Sequence, residues 1–480
     1  MNFSESDIEQ INQHGLTIEQ IEKQIANFKS GFPYANIIRP ATVNDGIFDL
    51  SAQQRKKYID IYNSVRDTKQ ITKFVPASGA ATRMFKDLFA FLSSGDENPT
   101  TKSVLGNITK FAFYDKLKPY INNTSTNHDI IDCIVNAHGL NYGKQPKGLI
   151  PFHKYSDETR TPAQEHMVEG ALYATANNIS NIHFTISPEH LDDFKKLIND
   201  QISKYEHTYD IKYNITTSEQ KQSTDTIAVT PDNEPFRTTD GKLLFRPAGH
   251  GALIENLNDI ESDIIFIKNI DNVSIDKSDT VEYKQALAGM LIDIQNKIFE
   301  YLDDLENNRF NPDEICDFIK HTLHHSVCGT SRDELINILN RPIRVCGVVK
   351  NIGAPGGGPF WVKNSDGTIG LQIVESAQIA PDARSIMETS THFNPVDLVC
   401  GTRDWHGKQF DLTKYIDHST GFISDKSDGG RPLRAMERPG LWNGAMAYWH
   451  TLFVAIPPTT FTPVKTVSDL LLPPHNNTNI

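Results

Sequence analysis

The feature that most constrains the fold is an alternation of short apolar runs with longer helix-like segments. Runs rich in β-branched residues stand at 71–75, 182–186 and 263–267, and a helix-like segment at 188–201 follows the second run. Strands that alternate with helices in this way usually form a parallel sheet covered by helices. We therefore predict an α/β fold with a mixed, mostly parallel central sheet flanked by helices.

The amino-terminal part of the chain differs from this pattern. Apolar residues recur at helical spacing across 4–30, and a further helix is predicted across 51–66. The sequence thus divides into an N-terminal helical extension at 1–70, an α/β domain at 71–400 and a C-terminal segment at 401–480. We expect the last segment to complete the functional site.

Three later segments have distinct patterns. Residues 213–242 are polar and rich in Thr, Ser, Asp and Gln, which indicates a loop or insertion, whereas 281–325 has helical spacing. The runs 345–349 and 369–374 are predicted to be paired strands around a glycine-rich turn.

Composition limits the classes of partner. The net charge of −13 argues against a surface that grips nucleic acid broadly, so any phosphate site must be local. No uninterrupted apolar stretch is long enough for a membrane helix, and the chain begins without a secretory leader, so a cytoplasmic protein without membrane partners is expected. Five scattered cysteines indicate neither a disulfide framework nor a zinc site, and a reducing compartment is expected.

The first segment with chemical content is a turn of small residues between a strand and a helix-like run. Its small residues are Ser78, Gly79, Ala80, Ala81 and Thr82, and Arg83 follows them. Small side chains let a phosphate approach backbone N–H groups, and the start of a helix adds partial positive charge. Small residues also occur where a strand turns into a helix for packing alone, so both interpretations stay open here. No Gly-Lys-Ser/Thr ends the turn, which excludes a Walker A loop.

Two charged residues stand at a predicted turn and a predicted strand end. Lys147 lies in a rigid Pro-Lys-Gly turn that can place one ammonium on a phosphate. Asp271 follows the apolar run 263–267, at the sheet edge where open α/β folds bind ligands, and there a carboxylate can hold Mg²⁺. Each residue also has an ordinary interpretation, as a solvated turn lysine or as a loop-capping aspartate.

Taken in order, these segments resemble one enzyme family. The small-residue turn with Thr-Arg, the Pro-Lys-Gly turn, Pro-x-Gly-His-Gly-Ala-Leu at 247–253, Asn-x-Asp-Asn at 269–272 and Pro-Val-Lys-x-x-Ser-Asp-Leu-Leu at 463–471 resemble the UDP-sugar pyrophosphorylases. Ser78 and Ala81 stand where that family normally has glycine. The chain as a whole, with its glycine-rich segment 350–361, also resembles an uncharacterised bacterial family known as domain of unknown function 4301.

The resemblance implies a nucleotidyltransferase on a GT-A-like, nucleotide-diphospho-sugar transferase fold. Such an enzyme joins a nucleoside triphosphate to a phosphorylated small molecule, here a sugar 1-phosphate, and releases pyrophosphate. By this resemblance the backbone of residues 79–82 and Arg83 hold the β- and γ-phosphates, and Ser78 also contacts the nucleotide. Lys147 lies at the α-phosphate, and Asp271 binds Mg²⁺. Lys465 holds the phosphate of the second substrate.

Further roles follow from the same resemblance. The nucleotide base lies against Gly249, His250 and Gly251, and Glu375 and Asn394 contact the second substrate. Glu375 is otherwise an exposed strand-end carboxylate. The turn at 355–359 is either a lid over the substrate or a wide hairpin turn.

Two other functions fit parts of the same pattern. Ser78 and Ala81 favour a nucleotide-sugar-binding or regulatory protein that has lost turnover. A glycosyltransferase of related fold is a third hypothesis, although such enzymes normally carry an Asp-x-Asp metal pair and Asn269-Ile270-Asp271 offers only half of it.

Overall fold

The computed structural model describes residues 3–79, 81–329, 331–351, 357–364 and 367–476. Its α-helices are α1 Glu5–Gln13, α2 Ile18–Ser30, α3 Ala52–Val65, α4 Lys86–Ser94, α5 Pro99–Gly106, α6 Tyr114–Leu117, α7 Asn127–Val135, α8 Pro162–Tyr173, α9 Leu191–Tyr209, α10 Leu253–Asn258, α11 Ser278–Glu306, α12 Pro312–His321, α13 Arg332–Leu339 and α14 Arg384–Glu388. Its strands are β1 Ile37–Pro40, β2 Thr42–Val43, β3 Gly46–Phe48, β4 Ile71–Pro76, β5 His153–Lys154, β6 Thr159–Arg160, β7 Ile179–Thr185, β8 Lys212–Ser218, β9 Thr226–Ile227, β10 Phe245–Arg246, β11 Ile264–Lys268, β12 Ile343–Lys350, β13 Gly358–Lys363, β14 Ile369–Val374, β15 His392–Gly401, β16 Phe422–Asp428, β17 Arg431–Glu437 and β18 His450–Ala455. The predicted class is confirmed: the fold is mixed α/β, with mostly parallel sheet strands flanked by helices.

The chain forms two compact units, each assembled from separated stretches. The first unit contains Met1–Ser51, Gln220–Asp263 and Met290–Ala455, and the second contains Ala52–Glu219, Ile264–Gly289 and Ile456–Ile480. Each unit combines stretches that are far apart in the sequence, whereas the prediction divided the chain into three consecutive segments. The boundaries of those three segments stay a prediction.

A parallel sheet organises the second unit. Its strands lie in the order β11, β4, β7 and β8, and each neighbouring pair is parallel. The runs predicted at 71–75, 182–186 and 263–267 overlap β4, β7 and β11. The carboxyl ends of parallel strands meet at one edge, and the loops leaving them are tied together there: the Ile270 N–H donates to the Pro76 carbonyl at 3.2 Å, and the Ala77 N–H to the Thr185 carbonyl at 3.0 Å.

Helices fill the long interval between Arg83 and Lys147. Helices α4 to α7 bury aromatic and aliphatic residues in one apolar cluster that includes Phe85, Phe113 and Ile134. Val464 and Val467, which flank Lys465, belong to the same cluster. Burial of this much apolar surface fixes the residue 464–467 segment against the helical layer.

In the first unit, β12 is the central strand. It pairs in parallel with β18 and antiparallel with β15, and β3 extends the sheet beyond β18. Helices α1 and α2 are separate because Gly15 adopts a left-handed φ of 70° between them. Both bury apolar residues against Ile227, Val229 and Met436, so the predicted N-terminal helices are integral to this unit.

The predicted pairing of 345–349 with 369–374 is wrong. Strand β14 pairs antiparallel with β13, and β12 has β15 and β18 as its neighbours. The continuous apolar run in β12 is typical of a central strand buried on both faces, which needs two partners from elsewhere. Part of the turn predicted at 355–359 lies outside the described residues.

Two other expectations are corrected. Residues 213–218 of the stretch expected to be a loop belong to β8, the edge strand of the parallel sheet, whose polar side chains suit an edge with one solvated face. Cys316 and Cys328 form a disulfide, with their Cα atoms 5.5 Å apart, although the scattered cysteine spacing indicated none. Within the described ranges, every helix is too short or too polar to cross a lipid bilayer.

Candidate functional site

Two lysines share one carboxylate at the carboxyl edge of the parallel sheet. Asp271 lies in the loop after β11, and its Oδ2 is 2.7 Å from Lys147 Nζ and 3.1 Å from Lys465 Nζ. Lys147 Nζ also donates to the Val464 carbonyl at 2.6 Å, and the Val464 N–H donates to the Asp271 carbonyl at 3.1 Å. Three segments far apart in the sequence therefore converge on this group, which we call the lysine–aspartate cluster.

The electrostatics of the cluster favour an added anion. Burial alone would raise the pKa of Asp271, but Lys147 and Lys465 outweigh it and hold that pKa below its usual value. The carboxylate is thus ionised and balances one of the two ammonium charges. The Lys465 side chain is 60% exposed, whereas that of Asp271 is only 9% exposed. The uncompensated positive charge therefore faces solvent, where a phosphate can reach it.

The small-residue turn lies beside this cluster, and some of its hydrogen-bond donors already have partners within the protein. The Ala81 N–H donates to the Gln145 carbonyl at 3.0 Å, and the Thr82 hydroxyl donates to the Gly143 carbonyl at 3.2 Å. The Ala81 methyl is buried in the apolar cluster of α4 to α7. The Ala81 amide is therefore not free to bind a phosphate as expected, and the turn instead braces the segment that carries Lys147.

The other residues of the turn have different environments. Ser78 is partly buried and its carbonyl accepts a hydrogen bond from the Ser187 hydroxyl at 2.9 Å, whereas Gly79 is exposed, with open space around it. Ala80 lies outside the described residues. Arg83 is exposed, and within the part of the chain that the structure describes its guanidinium makes no hydrogen bond or ion pair. The carbonyl of the next residue, Met84, accepts from the Val467 N–H at 3.1 Å, which ties Arg83 to the segment carrying Lys465.

The residues present do not fit a preformed magnesium site. Among the described residues, no group of three or more His, Cys, Asp or Glu is placed to hold a metal ion. Asp271 Oδ2 already accepts from two ammonium groups, which would have to move before a cation could bind there. Mg²⁺ binding at Asp271 therefore stays a prediction from the resemblance, and no step below depends on it.

In the first unit, His250 joins Glu375 and Trp442 in a second group. The His250 ring stacks on Trp442 with centroids 4.1 Å apart, and its Nε2 lies 3.5 Å from Glu375 Oε1. The Leu441 N–H donates to His250 Nδ1, so the proton of a neutral ring is on Nε2 and faces Glu375. Burial raises the pKa of Glu375, and its contacts with His250, Asn443 and Trp442 together more than offset that effect, so the pKa lies below its usual value. Glu375 is thus a partly buried carboxylate with side-chain partners, and not an exposed carboxylate at a strand end.

Contacts within the protein explain why glycine stands on either side of His250. A Cβ on Gly249 would lie 2.3 Å from Glu437 Oε2, and one on Gly251 would lie 2.1 Å from the Pro439 carbonyl oxygen. Residues 437–439 therefore occupy the space beside these two glycines, and the contact of residues 249–251 with a nucleotide base stays a prediction.

Replacing Gly251 with alanine should destabilise the fold. The added methyl would clash with backbone, which cannot rotate away, and overpacking of this kind costs about 1–3 kcal/mol. Urea unfolding of Gly251→Ala measures the loss, with Gly79→Ala as the control because a Cβ there meets nothing within 4 Å. Equal stability of the two variants would show that residues 437–439 do not approach Gly251 as described.

Asn394 is a structural residue of β15. Its Nδ2 donates to the Gly347 carbonyl at 3.0 Å, and its Oδ1 accepts from the Val396 N–H at 2.9 Å. Val396 has a left-handed φ of 58°, and the register between β12 and β15 shifts at this point. The oxygen and the nitrogen of the buried Asn394 amide thus both bind backbone at a bulge, and its contact with the second substrate stays a prediction.

Sequence reasoning missed the charged residues buried on α8. Glu169 accepts from Lys73 Nζ and Lys268 Nζ, each at 2.8 Å, and all three side chains are essentially inaccessible. His166 Nε2 lies 3.2 Å from the carbonyls of Asn269 and Ile270, which hold the loop that presents Asp271. A lysine in each of two otherwise apolar strands was the available signal, because a charge in such a run needs a buried partner.

Glu165, also on α8, should contribute to acid stability. Burial raises its pKa, but Lys277 and His153 outweigh burial and lower the pKa to about 2 from 4.5. A depressed carboxyl pKa stabilises the fold fully above the unfolded value and is lost as the pH falls through the folded value. The difference in unfolding free energy between wild type and Glu165→Gln should therefore be large at neutral pH and shrink as the pH falls from 4.5 toward 2. Urea unfolding across that range measures it, and a constant difference would contradict an ionised Glu165.

The fold of the chain is similar to that of a solved structure. The structure is similar to that of uridine diphosphate N-acetylglucosamine pyrophosphorylase from Trypanosoma brucei, with a TM-score of 0.52 and 11% identity, covering 98% of this chain and 79% of that one. It also matches UDP-glucose phosphorylase from the same organism, with a TM-score of 0.46 and 13% identity, covering 97% and 77%. At these identities the first likeness establishes the fold and nothing finer.

The family is established by sequence. A family model described as domain of unknown function, DUF4301, matches residues 4–476, and the chain belongs to that family. No curated protein matches the chain.

Proposed function

We propose that this protein is a nucleotidyltransferase that joins a nucleoside triphosphate to a phosphorylated small molecule of the sugar 1-phosphate class and releases pyrophosphate. The observation that carries the proposal is the lysine–aspartate cluster: Lys147 and Lys465 meet on one buried carboxylate at the carboxyl edge of a parallel sheet. This edge is where ligands of open α/β folds bind. A fold shared with a pyrophosphorylase is consistent with the reaction but does not establish it.

The proposed reaction is an in-line phosphoryl displacement. A phosphate oxygen of the sugar 1-phosphate attacks the α-phosphorus, a new P–O bond forms there, and the bond to the β-phosphate bridging oxygen breaks. Pyrophosphate leaves with that oxygen. The attacking oxygen is already ionised at neutral pH, so no general base is required, and a site built from cations suits the chemistry.

The residues have separate tasks in this scheme. Lys147, the less exposed lysine, neutralises charge at the α-phosphate, and the solvent-facing Lys465 receives the phosphate of the second substrate. Arg83, exposed and tied to the same segment, holds the leaving β- and γ-phosphates. Asp271 keeps the two ammonium groups aligned until phosphates replace its carboxylate as their partner.

A protein that binds nucleotide sugars without turnover is the second candidate. The engaged Ala81 amide favours it, because a phosphate-binding turn normally offers free N–H groups. Such a protein would still use the two lysines to bind a diphosphate.

One assay separates these functions. The protein is incubated with each common nucleoside triphosphate, a panel of sugar 1-phosphates and Mg²⁺, and pyrophosphate is measured. Pyrophosphate release that requires both substrates supports the proposal. Binding of a nucleotide sugar with no pyrophosphate release would support the silent binder and overturn the proposal, as would consumption of a nucleotide sugar by transfer of its sugar.

A further inference from the structure

A cavity of about 280 Å³ is formed entirely by residues of the first unit. Its walls come from the segment 33–36, from strands β13 and β14, and from the turns 417–420 and 443–447. The residues of this unit that the resemblance assigns to substrates, namely 249–251, Glu375 and Asn394, are not among its described lining residues. The cavity therefore has no role in the proposed reaction.

Carboxamide side chains that line the cavity also hold its walls together. Gln372 on β14 donates from Nε2 to the Ala447 carbonyl at 2.5 Å. Gln378 Nε2 donates to the Thr420 carbonyl at 3.1 Å, and Asn443 Nδ2 donates to Gln378 Oε1 at 3.1 Å. These three hydrogen bonds tie β14 and the turn after it to the other two turns. The cavity is thus preformed, as small-molecule sites usually are.

Some polar groups of the lining have unused hydrogen-bonding capacity. Gln372 is only 8% exposed, and within the described residues its Oε1 accepts no hydrogen bond. The Asn36 carboxamide and the Tyr34 hydroxyl likewise have no hydrogen-bond partner in the part of the chain that the structure describes. Because Gln372 is already fixed through its nitrogen, its oxygen can accept from a ligand with little loss of side-chain entropy.

The charges of the lining favour a neutral ligand. The described lining residues include one basic and one acidic side chain, Lys363 and Asp417. Lys363 is exposed to solvent. The Asp417 carboxylate already accepts from the Ser419 N–H at 2.9 Å and from the Ser419 hydroxyl at 2.6 Å. Phosphate sites are usually built from several converging cations or bidentate arginines, and the described lining offers no such set.

The placement of the uncommitted polar groups favours a ring that carries several hydroxyls. Strands β1 and β14 pair with opposite edges of β13, so Asn36, which precedes β1, and Gln372 approach the cavity from opposite sides of that strand. Carboxamides donate and accept, as hydroxyls do. Tyr34 is 56% exposed, so its ring stands at the opening and can cover the apolar face of a ligand.

The size of the cavity limits the ligand further. Sites for drug-sized ligands have volumes of about 300–1,000 Å³, and this cavity is slightly smaller. One ring with its substituents is therefore the expected size of the occupant.

We infer that this cavity is a binding site for a neutral, hydroxyl-rich ligand with a single ring, either an unphosphorylated monosaccharide unit or a cyclic polyol. The inference goes beyond the proposed function, because it requires neither a nucleotide nor the lysine–aspartate cluster.

Saturation-transfer NMR on the full chain tests for binding. The probes are glucose, galactose, N-acetylglucosamine and myo-inositol, added without nucleotide. At least one is expected to bind saturably with a dissociation constant on the order of 1–10 mM, as suits a small neutral ligand. The sugars and myo-inositol distinguish the two sources of hydroxyls. No saturable binding of any probe up to about 100 mM would overturn the inference, as would binding of free uracil or adenine in place of all four.

Substitutions in the lining locate the bound probe. Asn36→Ala changes an exposed side chain and should weaken binding about three- to tenfold, the effect of losing one or two neutral hydrogen bonds. Gln372→Met keeps the length of the side chain and should weaken binding at least as much. Its thermal unfolding curve shows whether loss of the Ala447 contact also disturbs the fold, and Asn36→Ala keeps the test decisive if it does.

Tyr34→Ala should also weaken binding, because the ring at the opening is removed. Tyr120→Ala is the matched control, since Tyr120 is 47% exposed and belongs to the second unit. Equal affinities of wild type, Asn36→Ala and Tyr34→Ala would place the probe outside the cavity and contradict the inference.

Lys465→Met separates this cavity from the proposed catalytic site, where a sugar is also expected to bind. Binding of the neutral probe should be unchanged in this variant, because Lys465 belongs to the second unit. Binding that is lost in Lys465→Met and kept in Asn36→Ala would assign the probe to the lysine–aspartate cluster and overturn the inference. Absence of pyrophosphate release contradicts the proposed function alone, since neutral-ligand binding is measured without nucleotide.

Discussion

Replacing Lys147 with methionine is expected to lower kcat/KM for pyrophosphate release by on the order of 10²–10³. Methionine keeps the length and apolar character of the lysine stem but removes the charge that faces the α-phosphate. Because Lys147 Nζ also bonds to the Val464 carbonyl, the segment that carries Lys465 loses a tether as well. The effect should therefore appear in kcat and not in KM alone.

The measurement is a steady-state assay of pyrophosphate release on purified variants with matched thermal unfolding curves. Lys144→Met is the control, since Lys144 is an exposed lysine three residues away on the same turn. Activity of Lys147→Met within about twofold of this control would place the reacting phosphates elsewhere.

Replacing Glu169 with glutamine is expected to lower the free energy of unfolding by about 3–5 kcal/mol, the range found when one partner of a buried ion pair is removed. Glutamine leaves Lys73 and Lys268 buried without their shared carboxylate. Burial already lowers the pKa of Lys73 to about 7, so without Glu169 the folded protein would hold Lys73 in its neutral form. That deprotonation is easier at high pH, and the loss should shrink as the pH rises from about 7 toward 10.

Urea unfolding at several pH values measures this loss. Adding Lys73→Met to Glu169→Gln removes one unpaired ammonium and should recover part of the lost stability, which separates a charge effect from simple disruption of α8. A pH-independent loss with no recovery in the double variant would contradict the buried ion-pair description.

Features that depend on neighbouring residues could be predicted from the sequence. The apolar runs at β4, β7 and β11 have the length and composition of buried parallel strands. The meeting of Lys147, Asp271 and Lys465 at one site is what the resemblance to the UDP-sugar pyrophosphorylases implies, and the three side chains do meet. The helix breaks at Gly15 and the capped start of α8 at Thr161 are likewise set by neighbouring residues.

Other features depend on contacts between distant residues. Strands β12 and β14 are near in the sequence, but each pairs elsewhere, because adjacency along the chain does not fix adjacency in a sheet. The backbone of Pro439 that crowds Gly251 lies in another segment, so the local sequence around Gly251 does not show this contact. His153 and His475 are 322 positions apart, and nothing in either local sequence indicates their contact.

The proposed function depends most on phosphates binding at Lys147 and Lys465. A crystal structure with a bound nucleoside triphosphate and sugar 1-phosphate tests this directly. We expect phosphate oxygens within about 3 Å of both Nζ atoms, with the Asp271 carboxylate displaced from at least one of them. Phosphates bound at another surface, with both lysines still on Asp271, would contradict the proposed site.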